Sequence, residues 1–249
     1  AQMNFLNPGF LGNAESFKQI GDCIEIYPSE GKLRIHILAD DLVRVRFTQN
    51  QTFENDFSYA VSKTDWSVNF NFQDNPAYYL ITTKELNIKI NKTPLRISFL
   101  DKDNSVISED EPSFGISHSG TEVQVFKSLE SSEKFFGLGE KAGNLDKRGK
   151  FLKMWNTDWP GYTQRQDPLY VSIPFFIGMR NMNPSENVTS DCINSNKAYG
   201  YFLDNTYETF FNLGASQDRY YSFGAKHGEL NYYFFYGPDV EKVVERYTE

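Results

Sequence analysis

Residues 33–47, LRIHILADDLVRVRF, read as two strands joined by a turn. Leu33, Ile35 and Ile37 alternate with Arg34 and His36. Across an Ala-Asp-Asp turn, Val43, Val45 and Phe47 alternate with Arg44 and Arg46. Successive side chains of a strand point to opposite faces, so this period of two sets one face on a core and the other toward water, as antiparallel sheets do.

The same period recurs outward from that stretch. Leu86, Ile88 and Ile90 alternate with Asn87 and Lys89, and Leu95, Ile97 and Phe99 follow just beyond Pro94. FLDKDNSVI (99–107) and FLDNTYETFF (202–211) each place an Asp/Asn turn between apolar runs, which predicts hairpins. AYGYFLDNTYETFFNLG (198–214) and GELNYYFFYG (228–237) continue as strands rich in Tyr and Phe. One helix is predicted, in GPDVEKVVERYTE (237–249): Pro238 fits a first turn, and Val240, Val243, Val244 and Tyr247 form an i, i+3, i+4, i+7 stripe. That stripe is cut at Glu249 with no Gly cap. It suits either a helix leading into further protein or a terminal helix packed on the sheets.

The chain has 249 residues, 39% of them hydrophobic and 16% aromatic, enough for one large all-β domain or two modest ones and against disorder. A formal net charge of −8 with scattered Lys and Arg argues against nucleic acid as a partner. A neutral polar substrate would be indifferent to that charge. No apolar run approaches the ~18 residues of a membrane span, so no membrane partner is expected. The opening AQMNFLNPGFLGN lacks the basic and apolar regions of a signal peptide, which leaves the compartment open.

Cys23 and Cys192 show no CxxC spacing; they are expected as two separate structural thiols, with one long-range disulfide as the alternative. Asn50, Asn91 and Asn187 head short glycosylation-acceptor patterns. His36, His118 and His227 are isolated in or beside strands, so structural roles are expected and no metal site. No HExxH, GxSxG, GKS/T or dinucleotide-binding glycine pattern occurs, so no cofactor is expected. Gly137-Leu-Gly139 lacks a third glycine and a following helix, and is expected to serve tight turns.

The stretch KMWNTDWPGYTQRQDPLY (153–170) is the best site candidate. Pro160, Gly161 and Pro168 forbid an uninterrupted helix. Trp155, Trp159, Tyr162 and Tyr170 offer flat faces suited to the C–H faces of a pyranose. Asn156, Asp158, Gln164, Arg165 and Asp167 offer groups that hydrogen-bond its hydroxyls. The same composition also suits a structured loop whose rings plug the end of a sandwich.

FFGLGEKAGNLDKRGK (135–150), MWNTDWPGY (154–162), DPLYVSIPFFIG (167–178), GYFLDNTYETFFNLG (200–214) and YYFFYGPDVEKVVERYTE (232–249), in this order, resemble the N-terminal domain of glycoside hydrolase family 31, the α-glucosidases, α-xylosidases and their relatives. The resemblance implies a large antiparallel two-sheet sandwich, a galactose-mutarotase-like supersandwich, with a short C-terminal helix. It implies a β-sandwich domain over 1–236 and, over 237–249, the start of a helix leading to a (β/α)8 catalytic barrel that this sequence does not contain. Retaining hydrolysis would use two Asp residues, both in barrel motifs absent here, so no catalytic residue is expected in this chain.

By the same resemblance, Asp158 would accept hydrogen bonds from sugar hydroxyls, and Trp159 or Tyr162 would flank the aglycone side. Asp167 is the second possibility for the carboxylate. The implied partners are an α-glucoside or related oligosaccharide and the protein's own barrel. The implied compartment is a bacterial periplasm or cytoplasm. A self-sufficient carbohydrate-binding module is the competing reading. An aldose mutarotase, suggested by fold kinship alone, finds no matching site motif among three scattered histidines.

Overall fold

The computed structural model describes residues 8–181 and 196–249, and its architecture follows from the alternation. Every strand pair is antiparallel. The stretch at 33–47 forms β4 (Lys32–Ala39) and β5 (Leu42–Thr48), paired with Ile35 opposite Val45. They lie inside an eight-stranded sheet. On one side of them come β3 (Cys23–Pro28) and β2 (Ala14–Ile20). On the other come β19 (Leu230–Tyr236), β16 (Asn196–Leu203), β15 (Ser172–Asn181) and β13 (Lys134–Gly139).

The opposing layer is divided. A five-stranded sheet runs β10 (Val106–Glu109), β9 (Leu95–Leu100), β8 (Asn87–Lys92), β7 (Tyr78–Thr82), β6 (Asn71–Asp74). A six-stranded sheet runs β1 (Gly9–Phe10), β11 (Ile116–Ser119), β12 (Glu122–Ser128), β18 (Tyr220–Ala225), β17 (Thr209–Asn212), β14 (Phe151–Met154). A single β-bridge between Asp110 and Lys127 joins the two. Both pack on the eight-stranded sheet: Phe99 of β9 stacks on Phe234 of β19 at 3.9 Å, and Phe223 of β18 meets Tyr201 of β16 at 5.1 Å. The expected two-layer sandwich is therefore present, with one layer split into two sheets.

The bridge carries an ion pair inside the core. Lys127 Nζ lies 2.7 Å from Asp110 Oδ1, and neither side chain is exposed. Asp110 Oδ2 also accepts from the Ile97 amide at 2.8 Å. The rings of Phe99, Tyr201 and Tyr232 surround the ammonium at 5.2–5.4 Å. Burial alone would discharge Lys127, but Asp110 and its hydrogen bond outweigh burial and hold the pKa above the usual lysine range.

A second polar chain crosses the same core. Tyr199 donates to Glu133 at 2.7 Å; Tyr199 and Tyr221 hydroxyls lie 3.1 Å apart; Ser108 Oγ reaches Tyr221 at 3.2 Å and Tyr201 at 2.9 Å. Every ring here is buried and each of these hydroxyls has a partner, as low-dielectric surroundings require.

Part of the outer face of the eight-stranded sheet, over β15, β16 and β19, is covered too. The one helix among the described residues, α1 (Val240–Thr248), inserts Val243 and stacks Tyr247 on Phe175 at 3.7 Å. Asp239 caps it by accepting from the Lys242 amide at 2.8 Å, so Pro238 precedes the cap and does not lie in the first turn. Val240 and Val244 of the predicted stripe stay partly exposed, at 38% and 42%.

Two local expectations are corrected. FLDNTYETFF is not a hairpin: β16 pairs with β15 and β19, whereas β17 pairs with β14 and β18, so the Asp204-Asn205 turn carries the chain from one layer to the other. Gly137-Leu-Gly139 is not a turn either. It lies within β13 opposite a bulge of β15, where Gly137 pairs with Phe176 but Gly139 with Ser172. Gly137 and Gly139 have φ of 116° and 75°, and a Cβ would meet the carbonyls of Phe175 and Val171 at 2.7 and 2.6 Å. Cys23 is buried, which pushes its thiol up to about 11; Cys192 and Asn187 lie outside the described residues.

Candidate functional site

Residues 155–171 link β14 in one layer to β15 in the other, across one end of the sandwich. The 204–208 crossing lies at the same end, since Met154 pairs with Thr209 and Phe175 with Phe202. Main-chain polar groups of so irregular a segment need partners, and the base of the loop supplies them. Asp167 accepts from Lys141 Nζ at 2.7 Å with one oxygen and from the Lys153 amide at 2.6 Å with the other. Lys141, its side chain 1% exposed, also donates to the Lys153 carbonyl at 2.6 Å. These contacts close the free edge of β14, whose one strand partner among the described residues is β17. Asn156 Oδ1 accepts from the Ser172 amide at 2.8 Å, the Thr157 amide reaches the Leu169 carbonyl at 2.9 Å, and Leu169 is buried.

The tip differs in kind. Asp158 is exposed, and Trp159, Tyr162 and Tyr170 are 45%, 47% and 37% exposed. The Tyr162 and Tyr170 rings meet edge-on at 6.3 Å. Partial desolvation and then the adjacent Asp158 carboxylate raise the Tyr170 phenol above its ordinary pKa. The structure thus gathers Asp158, Trp159 and Tyr162 with Tyr170 at the tip, and sets Asp167 below them as a brace.

Two further rings belong to this end. Trp155 (54% exposed) and Tyr207 (52%) border an open recess of about 350 Å³ between the loop and the 204–208 crossing. Ser172 contributes to that recess and has a buried hydroxyl oxygen with no hydrogen-bond partner. Tyr207 was hidden from sequence reasoning by the hairpin reading of its segment; the Asn205 side chain, which accepts from the Tyr207 amide at 2.8 Å, marks a turn that presents this ring. The end is therefore a surface of half-exposed rings, one exposed carboxylate and side-chain amides on a braced frame. It can stack and hydrogen-bond a polyhydroxylated ring. Among the described residues, no cluster of His, Cys, Asp and Glu could hold a metal ion.

Known proteins share this fold. A family described as the glycosyl hydrolase 31 N-terminal galactose mutarotase-like domain matches residues 32–212. Alpha-glucosidase 2 of Bacillus thermoamyloliquefaciens is 30% identical over 241 residues, which is 96% of this chain and 29% of that protein. The alpha-glucosidase of Saccharolobus solfataricus is 33% identical over 156 residues, covering 63% of this chain and 20% of its own. The dextranase of Flavobacterium johnsoniae, solved in complex with isomaltotriose, superposes with a TM-score of 0.85 at 32% identity, over 96% of this chain and 28% of the dextranase. The chain spans less than a third of the length of each of these relatives.

Proposed function

The chain belongs to the glycosyl hydrolase 31 N-terminal galactose mutarotase-like domains, and on that premise we propose that it is the non-catalytic N-terminal domain of a retaining α-glucosidase-type enzyme. In this reading the domain supports a (β/α)8 barrel and lends it the loop 155–171. Both catalytic carboxylates would come from the barrel, as nucleophile and acid/base on either side of the glycosidic bond. Asp158 would accept hydrogen bonds from sugar hydroxyls, Trp159 and Tyr162 would flank the ring beyond the cleaved bond, and Asp167 would hold the loop in place.

The observation that carries this reading is the division within the loop. Both oxygens of Asp167 are engaged by the fold, while Asp158 stands exposed among three half-exposed rings. Half-exposed rings and a carboxylate whose neighbour is the loop's own Tyr170 bury little against the sandwich. They suit a site whose opposite wall belongs to another domain.

Two measurements on the 249-residue chain test it. No hydrolysis of p-nitrophenyl α-glucoside above buffer is expected, because the covalent route needs the barrel's carboxylates. Turnover abolished by one Asp or Glu substitution within the chain would overturn the reading. Calorimetry with isomaltotriose should give binding weaker than about 1 mM, since half a site forfeits the rest of the contacts. Tighter binding would identify a self-sufficient carbohydrate-binding module instead.

A further inference from the structure

The outer face of the six-stranded sheet holds a groove that the loop does not reach. Cross-strand partners lie on one face of a sheet, and here they form two rows: Gln124–Gly224–Phe210–Lys153 and Phe126–Ser222–Asn212–Phe151. The alternate residues Val123, Val125, Phe223, Phe211 and Leu152 point inward to the core. Because β18 presents only Gly224 and Ser222, the centre of the rows is low. The walls on β12 and β17 stand two strand spacings apart, about 10 Å. The result is an open trough of about 420 Å³.

One wall carries an exposed ring. Phe151 is 54% exposed and stacks on the buried Phe210, with centroids 6.0 Å apart and planes within 14° of parallel. At one end Glu208 sits between Lys153 at 3.2 Å and Lys226 at 2.7 Å, and Glu122 also borders the trough, so two carboxylates balance two ammonium groups there. Flat apolar rings, an amide on the facing wall and balanced charge suit a neutral, polyhydroxylated ligand. They offer nothing to a phosphate backbone. The face is not a sheet edge, so a peptide strand cannot extend it.

We propose that this trough is a second binding groove for a neutral α-glucan chain, separate from the loop site. The strand that carries Phe151 and Lys153 runs directly into Trp155 at the start of the loop. Four residues of strand span about 13 Å, so one polymer can lie in the groove and reach the loop. The choice of α-glucan as ligand rests on the sugar reading of the loop; the groove itself rests on its own rows of residues.

The test uses the full-length enzyme, run in native gels containing dextran or soluble starch. The wild type should be retarded by at least one polymer, and Phe151→Ala should weaken the retardation constant roughly fivefold, the scale of losing one aromatic contact. Phe151 is exposed, so its melting temperature should hold. Retardation by neither polymer, or Phe151→Ala retarded like the wild type, overturns the groove. A lowered melting temperature with unaltered retardation also overturns it, since another part of the protein would then cover the face. The loop reading is scored apart, on p-nitrophenyl α-glucoside. If Asp158→Ala leaves that hydrolysis unaltered while Phe151→Ala loses polymer, the loop reading fails and the groove stands.

Discussion

The space between the layers and the loop at the end of the sandwich both concentrate aromatic rings, and they use them in opposite ways. Between the layers, Tyr199, Tyr201, Tyr221 and Tyr232 are fully buried, and their hydroxyls are tied into the Glu133, Ser108 and Lys127 network. On the loop, Trp155, Trp159, Tyr162 and Tyr170 expose between 37% and 54% of their surface. A ring whose polar atom is satisfied by the fold contributes stability, whereas a ring left half-wet on a braced loop is available to a partner. The comparison therefore predicts that substitutions in the core will change melting and those at the tip will change catalysis.

The largest effect is expected in the core. Lys127→Ala leaves the Asp110 carboxylate buried without its cation and should cost about 3–5 kcal/mol of unfolding free energy, read by urea denaturation. Replacing both partners, Lys127→Met with Asp110→Leu, should recover much of that loss, because the uncompensated charge is gone. A single variant no less stable than the wild type would show that the pair is not a structural element of the interior.

At the loop, base and tip should separate. Asp167→Ala frees the buried Lys141 ammonium and the Lys153 amide, at a cost of about 2–3 kcal/mol, seen as a lowered melting temperature. Asp158→Ala should leave the melt unaltered and lower kcat/KM of the full-length enzyme roughly 10- to 150-fold, the ~1.5–3 kcal/mol of a hydrogen bond to a charged acceptor. Asp158→Asn should be milder, since its amide oxygen still accepts one bond. The reverse pattern, a destabilised Asp158→Ala enzyme with wild-type kcat/KM, would move Asp158 from binding to turn structure.

Much of this was legible in sequence where the signal is local. The alternation at 33–47 and 86–99 needs only the next residue but one, and the strands formed there. Partner choice is not local, which is why FLDNTYETFF, with a sound turn signal at Asp204-Asn205, has the sequence of a hairpin yet changes layers. Asp158 and Asp167 look alike in one loop. Their difference depends on Lys141, 26 residues upstream of Asp167, which no spacing rule ties to it. Lys127 could have been found. It shares the face of Val123 and Val125 in β12, and a lysine at that phase announces a buried partner.

The smallest effect tests how closely the core hydroxyl chain is tuned. Burial pushes Glu133 up to about 6 from the ordinary 4.5, against the lowering effects of the Tyr199 hydrogen bond, the Glu130 amide and Arg180. The folded protein thus holds the Glu133 proton more tightly than the unfolded chain does. That contribution is complete below pH 4.5, declines as pH rises through about 6, and is gone above it. A shift of this size is worth at most about 2 kcal/mol. Other carboxylates titrate nearby, so the useful quantity is the difference between Glu133→Gln and wild type in urea midpoints from pH 4.5 to 7.5. Gln imitates the protonated carboxyl and does not ionise. The variant should match the wild type at the acid end and exceed it at pH 7.5. A difference that stays flat across the range would mean that Glu133 remains ionised in the core, with Arg180 and Tyr199 carrying its charge.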